Sequence, residues 1–323
     1  MSLESTAQRS LLVINTRAGN GRAAGLANEI TANHNLQTID ISDFFSLELA
    51  QRSQLLATLS HIFVLGGDGS AFSILNFLVS QNLQNSITVV PLGLGGENVL
   101  AKNVGSYGKS VLTVLQVVTG EYSSEQVNPF TVQLQNEAKK LESLPFLWSV
   151  HAGFSAAVLS EIEFLRKSNA TDFQRRYGAT MKRFLQLRRS EQVMVSGTGI
   201  NTRQVLDFGV VSASLPYWTS KFRLPVTTGQ TAILHTIEGF DRLQAEPVVF
   251  SARFLLELIS LKLGLPIPRE IIKHQALGAD FSIHATSGSG IVGIDSEIYP
   301  AVSALVTNST INAYSRNVFL GRV

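Results

Sequence analysis

Three short stretches set bare backbone and a few polar groups where an anion could be held. They are Asn15-Thr16-Arg17-Ala18-Gly19-Asn20-Gly21, Gly66-Gly67-Asp68-Gly69-Ser70 and Gly93-Leu94-Gly95-Gly96-Glu97-Asn98. Each leaves an apolar run: LLVI, HIFVL and ITVVPL. Without a Cβ, backbone N–H groups approach a ligand closely, and the N-terminus of a following helix adds partial positive charge. The chemistry this suggests is phosphate binding. Three such loops on one rim point to a nucleotide more strongly than any one of them. Downstream, Asp295 and Glu297 could take a proton from a hydroxyl. On spacing alone, two acids at i and i+2 read first as a solvated turn, since they share one strand face and are common on surfaces.

The first loop also imitates a dinucleotide fingerprint. Gly19, Gly21 and Gly25 have the spacing, and Asp40 ends the next strand. In that fingerprint the strand runs straight into its first glycine, whereas Thr16, Arg17 and Ala18 intervene here. It also leaves Gly66–Ser70 unexplained, so a dehydrogenase ranks below a kinase.

The elements that must position these residues fall into two textures. Val-, Ile- and Leu-rich strands alternate with helical patterns through the first third, which implies a doubly wound α/β domain with a mostly parallel sheet. Its expected strands include LLVIN, LQTIDI, HIFVLGG and ITVVPLG. After Tyr122, short extended runs between Gly, Asn, Ser and Thr turns predict a mainly β second domain, a β-sandwich with helical insertions. Helices are expected there over Ala156–Lys167, Phe173–Arg189 and Pro247–Leu263. The boundaries read as 1–125 for the nucleotide-binding domain and 126–307 for the β-rich domain, with 308–323 available to complete the first.

Composition narrows the classes. At 323 residues the chain exceeds what one compact core usually holds. It has 45% hydrophobic and 15% charged residues, which is globular, and a net charge of +2 gives no sign of a nucleic-acid partner. The absence of cysteine removes disulfides, thiolate nucleophiles and Cys-ligated metals. No secretory leader or spanning apolar run is visible, so a cytoplasmic protein, at most peripheral at a membrane, is expected. The six histidines show no i, i+4 ligand spacing, and no Gly-x-Ser-x-Gly elbow occurs.

Taken together, INTRAGNG, VLGGDGS and VPLGLGGENVLAKNVG resemble the catalytic domain of the diacylglycerol kinase superfamily, which includes sphingosine kinases and bacterial lipid kinases. VHAGFSAAV, RRYGATMKRFLQL, FGVVSASLPYW and GIDSEIYP continue the likeness in order through the second domain. The resemblance implies ATP and Mg²⁺, with Asn15, Gly19, Gly21, Gly66, Gly67, Asp68, Gly69, Ser70, Gly93, Glu97 and Asn98 around the nucleotide. It implies Asp295 as the base that accepts the proton of a lipid hydroxyl, with Glu297 the alternative. The metal ligands are left open. NAD kinases share the middle motif and are the rival enzyme class; a catalytically impaired nucleotide- or lipid-binding relative is the other rival. Departures from the family pattern stand at Leu94 for a hydroxyl residue, Ala152, Ser155, Ser296, and at Thr227-Thr228-Gly229-Gln230, where a carboxylate is usual.

Eight Lys and Arg lie between Arg166 and Arg189, among them Arg175, Arg176, Lys182 and Arg183. Phe173, Tyr177, Met181 and Phe184 recur at helical spacing beside them. A core-packed helix with a solvated face explains this pattern as well as a surface meeting anionic lipid does. The oligomeric state is open, with a homodimer among the options.

Overall fold

The computed structural model describes residues 9–81, 83, 87–94, 98–127, 130–136, 138, 140–146, 148–168, 170–171, 174–186, 192–219, 222–226, 230–263, 265, 269–278, 280–287, 290–295, 297–307 and 318–322. The chain divides into two compact units, Met1–Asn128 with Ser315–Val323, and Pro129–Tyr314.

The first unit runs β1 (Ser10–Ile14), α1 (Arg22–His34), β2 (Gln37–Asp40), α2 (Ile41–Ser46), α3 (Leu49–Ala57), β3 (His61–Gly66), α4 (Asp68–Ser80), β4 (Thr88–Gly93), α5 (Val99–Asn103), α6 (Ser110–Thr119) and β5 (Ser123–Val127). Every residue of β1 and β3 is buried, as continuous apolar strands covered on both faces must be. One set of alternate residues, Leu12, Ile14, Phe63 and Leu65, packs against Ala23, Ala27 and Ile30 of α1 and Val114 and Val117 of α6. On β3 and β4 α4 also packs, and its Phe72, Ile74 and Leu75 are buried. The sheet order is β2-β1-β3-β4, then the C-terminal strand Val318–Arg322, then β5. All pairs are parallel except that of the C-terminal strand with β5. The parallel-rich α/β sheet expected from the apolar runs is therefore present. One strand is shorter than its apolar pattern. LQTIDI stops at Asp40, whose carboxylate accepts the Ser42 N–H (2.8 Å) and so caps α2 instead of continuing the strand.

The second unit carries β6 (Phe130–Gln135), β7 (Leu141–Phe146), β8 (Ser149–Gly153), α7 (Phe154–Lys167), α8 (Ala179–Leu185), β9 (Val193–Gly197), β10 (Ile200–Val205), β11 (Asp207–Ser212), β12 (Tyr217–Thr219) and β13 (Phe222–Arg223). It continues with β14 (Ala232–Ile237), α9 (Phe240–Ala245), α10 (Pro247–Leu263), β15 (Ile272–Leu277), β16 (Ser282–Ser287), β17 (Ile291–Ile294), β18 (Glu297–Pro300) and β19 (Ser303–Thr307). Two six-stranded antiparallel sheets form, β10-β9-β16-β19-β6-β7 and β15-β14-β11-β8-β17-β18. Alternate residues of both sheets, such as Val132, Val195, Ile283 and Val306 of one and Val150, Phe208, Leu234 and Val292 of the other, share one buried cluster. The helix expected over Phe173–Arg189 is broken. A π-helical turn, Gln174–Gly178, precedes α8, and Arg188 and Arg189 lie outside the described residues.

Candidate nucleotide loops and the Asp295 turn

The three glycine loops leave the carboxyl ends of β1, β3 and β4, which are neighbours in register, Ile14 beside Leu65 and Gly66 beside Gly93. Chain order reverses between β1 and β3, so Asn15 and Gly67 flank the switch point where open α/β sheets bind ligands. A set of short contacts ties the loops together. The Asn15 side-chain amide donates to Ser70 Oγ (2.9 Å), and its carbonyl accepts the Arg17 N–H (3.1 Å). The Leu94 N–H donates to Gly66 O (2.7 Å). Asp68 Oδ2 accepts from Val99 N and Oδ1 from Leu100 N, both at 2.9 Å, and the side chain is buried. One carboxylate thus caps α5 and joins the second loop to the third.

Two glycines are required by close approach. A Cβ on Gly66 would lie 2.8 Å from Ser70 Oγ and 3.3 Å from Asn15 Cβ. A Cβ on Gly93 would lie 2.7 Å from Ala101 Cβ and 3.0 Å from Asn98 Cβ. Gly19 and Gly21 have positive φ, 63° and 85°, which turn the first loop back along the sheet edge. Gly67 caps α4 with an extended backbone, and a Cβ on Gly69 would meet nothing. Asn98 is buried at φ 52° and opens α5. Glu97 lies outside the described residues. Asp40, the ribose ligand of a dinucleotide fingerprint, is committed elsewhere. It accepts from Ser42 N, Ser42 Oγ and Thr16 N. Burial alone would raise it, but these hydrogen bonds prevail and hold its carboxyl at about 2.

In the second unit, Asp295 follows β17 and turns the chain into β18. Its φ is 46°, a left-handed conformation that Asp tolerates. It is buried, and Oδ1 accepts the N–H groups of Trp148 (2.8 Å) and Ser149 (2.9 Å) at the start of β8. Glu297 is exposed on β18 and accepts the Tyr299 hydroxyl (3.0 Å). Burial first, then Glu297 and Asp295, push the Tyr299 hydroxyl well above its ordinary range. The solvated reading of the pair holds for Glu297 and fails for Asp295, which is buried. Ser296 lies outside the described residues, as do Thr227, Thr228 and Gly229.

Ser155, where the family pattern has an acid, donates from N (2.7 Å) and Oγ (2.6 Å) to the fully buried carboxylate of Asp207. A second carboxylate at 155 would face Asp207 as a like charge. Neither this pairing nor the grip of Asp68 on α5 is foreshadowed by a local motif. Leu94 fills the place of the expected hydroxyl with packing. It joins the α1–α6 cluster, and its O lies 3.3 Å from where a Gly19 Cβ would be.

Comparison with known proteins adds a family match over part of the chain. Residues 9–128 match the diacylglycerol kinase catalytic domain. They span the unit that bears all three loops, and the match is to the family that the motifs resemble. No curated protein matches the chain by sequence. Among solved structures, a diacylglycerol kinase from Bacillus anthracis str. Sterne superposes with TM-score 0.57 at 14% identity, covering 97% of this chain and 96% of that one. A candidate diacylglycerol kinase from the same organism gives TM-score 0.59 at 15% identity, covering 93% and 94%. A yeast NADH kinase complexed with NADH gives 0.52 at 10%, covering 98% and 84%. At these identities the likeness to structures is one of fold.

The described parts of the loops lie at one sheet edge and are tied by a polar brace, Asn15 to Ser70 and Asp68 to α5, which is compatible with a nucleotide's phosphates. A protein-held Mg²⁺ is a poorer fit. No group of three His, Asp or Glu able to hold a metal forms among the described residues, and each oxygen of Asp68 accepts a backbone amide.

Proposed function

We propose that the protein is a lipid kinase that transfers the γ-phosphoryl group of ATP to a hydroxyl of diacylglycerol or a related lipid. The observation that carries this reading is the fastening of the three loops, Asn15 to Ser70 and Asp68 to α5, at the carboxyl edge of a parallel sheet in a matched diacylglycerol kinase domain. The phosphates of magnesium-bearing ATP rest on the backbone N–H groups of these loops, which are held in place before the nucleotide arrives. Asp295 accepts the proton of the lipid hydroxyl as its oxygen bonds to the γ-phosphorus and the bond to the ADP oxygen breaks. The two backbone N–H groups on Oδ1 fix the orientation of the Asp295 carboxylate. Glu297, exposed and paired with Tyr299, stands second. A cytoplasmic enzyme working at the membrane surface, with the basic segment that bears Lys182 and Arg183 meeting anionic lipid, completes the reading.

Labelled ATP offered with diacylglycerol, phosphatidylglycerol, sphingosine and NAD, with and without Mg²⁺, tests it. Label in a lipid is expected; label in NAD alone contradicts the lipid assignment and favours an NAD kinase. Leu94 supports a second reading, a nucleotide-binding relative with weak turnover, because an aliphatic chain packed into the core replaces a hydroxyl. Calorimetry showing ATP binding without transfer to any of the four acceptors would establish that case.

A further inference from the structure

The helix α10 (Pro247–Leu263) is apolar on two faces. Phe250, Phe254, Glu257 and Leu261 recur at helical spacing and are buried. On the other side Val248, Leu255, Leu256, Ile259 and Leu263 are exposed, from 43% for Ile259 to 79% for Val248. Soluble proteins seldom leave so continuous an aliphatic stripe in water without a partner for it. The one acid of α10, Glu257, is turned inward and accepts the N–H groups of Glu270, Ile271 and Ile272. The exposed face of α10 therefore carries no carboxylate.

The neighbouring helix extends the pattern. Phe184 of α8 stacks on Phe254 (5.8 Å between centroids, 12° between planes), and α8 itself exposes Met181 and Leu185. Lys182 and Arg183, on the same helix, both pair with Glu161 of α7 (2.7 and 3.2 Å), two cations on one carboxylate.

We infer that the exposed aliphatic face of α10 lies on an anionic bilayer, its side chains among the acyl chains and the α8 cations at the headgroups. An aliphatic stripe without a carboxylate, bordered by a helix that carries Lys182 and Arg183, is the chemistry of an interfacial helix. A second copy of the chain is the weaker occupant, because a two-fold contact would set this cationic border against itself. No helix among the described residues is long and apolar enough to cross a membrane, so α10 lies on the surface and does not span it. The inference deepens the lipid-kinase reading and rests on it for the choice of occupant.

Flotation with vesicles of phosphatidylcholine alone, and of phosphatidylcholine with phosphatidylglycerol, tests it on the full chain. The protein is expected to float with the anionic vesicles, less so in high salt. The variant Leu256→Ser/Ile259→Ser/Leu263→Ser is expected to lose about ten-fold or more of that binding. Should it fail to fold, Val248→Ser/Leu255→Ser serves instead. Equal flotation of folded variant and wild type overturns the inference. So does a wild type that ignores both vesicles, whether or not it is a dimer that the variant dissolves. Transfer to a soluble short-chain diacylglycerol is read in parallel and is expected to be the same in wild type and variant. Flotation lost in the variant with no transfer by either protein keeps the docking face and removes the kinase reading. Transfer by both with equal flotation does the reverse.

Discussion

Each acid in the candidate site has a distinct task set by its hydrogen bonds. Asp68 is a brace. Both of its oxygens take backbone N–H groups of α5, so Asp68→Asn should lose one of them and cost about 1–3 kcal/mol in unfolding experiments. Gly66→Ala should cripple ATP binding in calorimetry while the chain still folds, because its Cβ would press on Ser70 Oγ at 2.8 Å and part the first two loops. Unchanged affinity would show that those loops do not carry the phosphates. Asp295→Asn keeps the left-handed turn and an acceptor for the β8 amides, so it isolates the proton transfer; turnover should drop by about 10²–10⁴-fold with little change in melting temperature. At this scale the glycine motifs and Asn15 were legible because their spacing is local. The partners of Asp68 and Asp207 were not, since each bond joins residues that only the folded chain brings together.

Elements were legible where burial imposes one rule along a whole segment. The continuous apolar strands β1 and β3 and the alternating β6 and β9 follow from their patterns. β10 and β15 bury only their two end residues and carry little apolar signal. The run GIVGIDSEIYP conceals two strands because its turn uses Asp295, where glycine or asparagine would announce a reversal. Glu257 shows how an element is held by one buried charge. Its carboxylate takes three backbone N–H groups leading into β15 and pairs with Arg253 (3.2 Å). Glu257→Ala leaves all of them unmet and should cost about 3–5 kcal/mol, read as a lowered denaturation midpoint. A loss below about 1 kcal/mol would contradict this anchoring of α10.

At the scale of the molecule, each unit has its own core, and the second contains a row of three histidines, His151 and His235 buried and His274 half-buried. His151, His235 and His274 lie in register across β8, β11, β14 and β15, with Gly209 between the first two. Burial holds His151 at about 4. Burial and then Arg269 hold His274 at about 4, and burial with repulsion from His274 and His151 holds His235 well below its ordinary value. Asp207, 3.8 Å from His235, is pushed up to about 7 by burial against the hydrogen bonds from Ser155. Below about pH 6.5 the unfolded chain gains protons on three histidines that the folded chain refuses, whereas Asp207 acts in the opposite sense with one proton. Stability should therefore be full above about pH 6.5 and fall toward pH 4, and urea midpoints at about pH 7.5 and pH 5 test this. Equal midpoints would mean that the row is already charged in the fold.

The two-texture organisation of the chain, parallel α/β followed by antiparallel sheets, could be read from sequence because each texture repeats its own period. The C-terminal strand could not be placed that way, because five residues owe their position to β4 and β5 on either side. The central claim, phosphoryl transfer to a lipid hydroxyl from these loops, is tested most directly by one assay. Labelled ATP is incubated with diacylglycerol vesicles and wild type, Gly66→Ala or Asp295→Asn protein, and label is counted in the lipid fraction. The account predicts lipid phosphate from the wild type and little from either variant. Transfer that survives in Asp295→Asn, or label appearing only in added NAD, would contradict it.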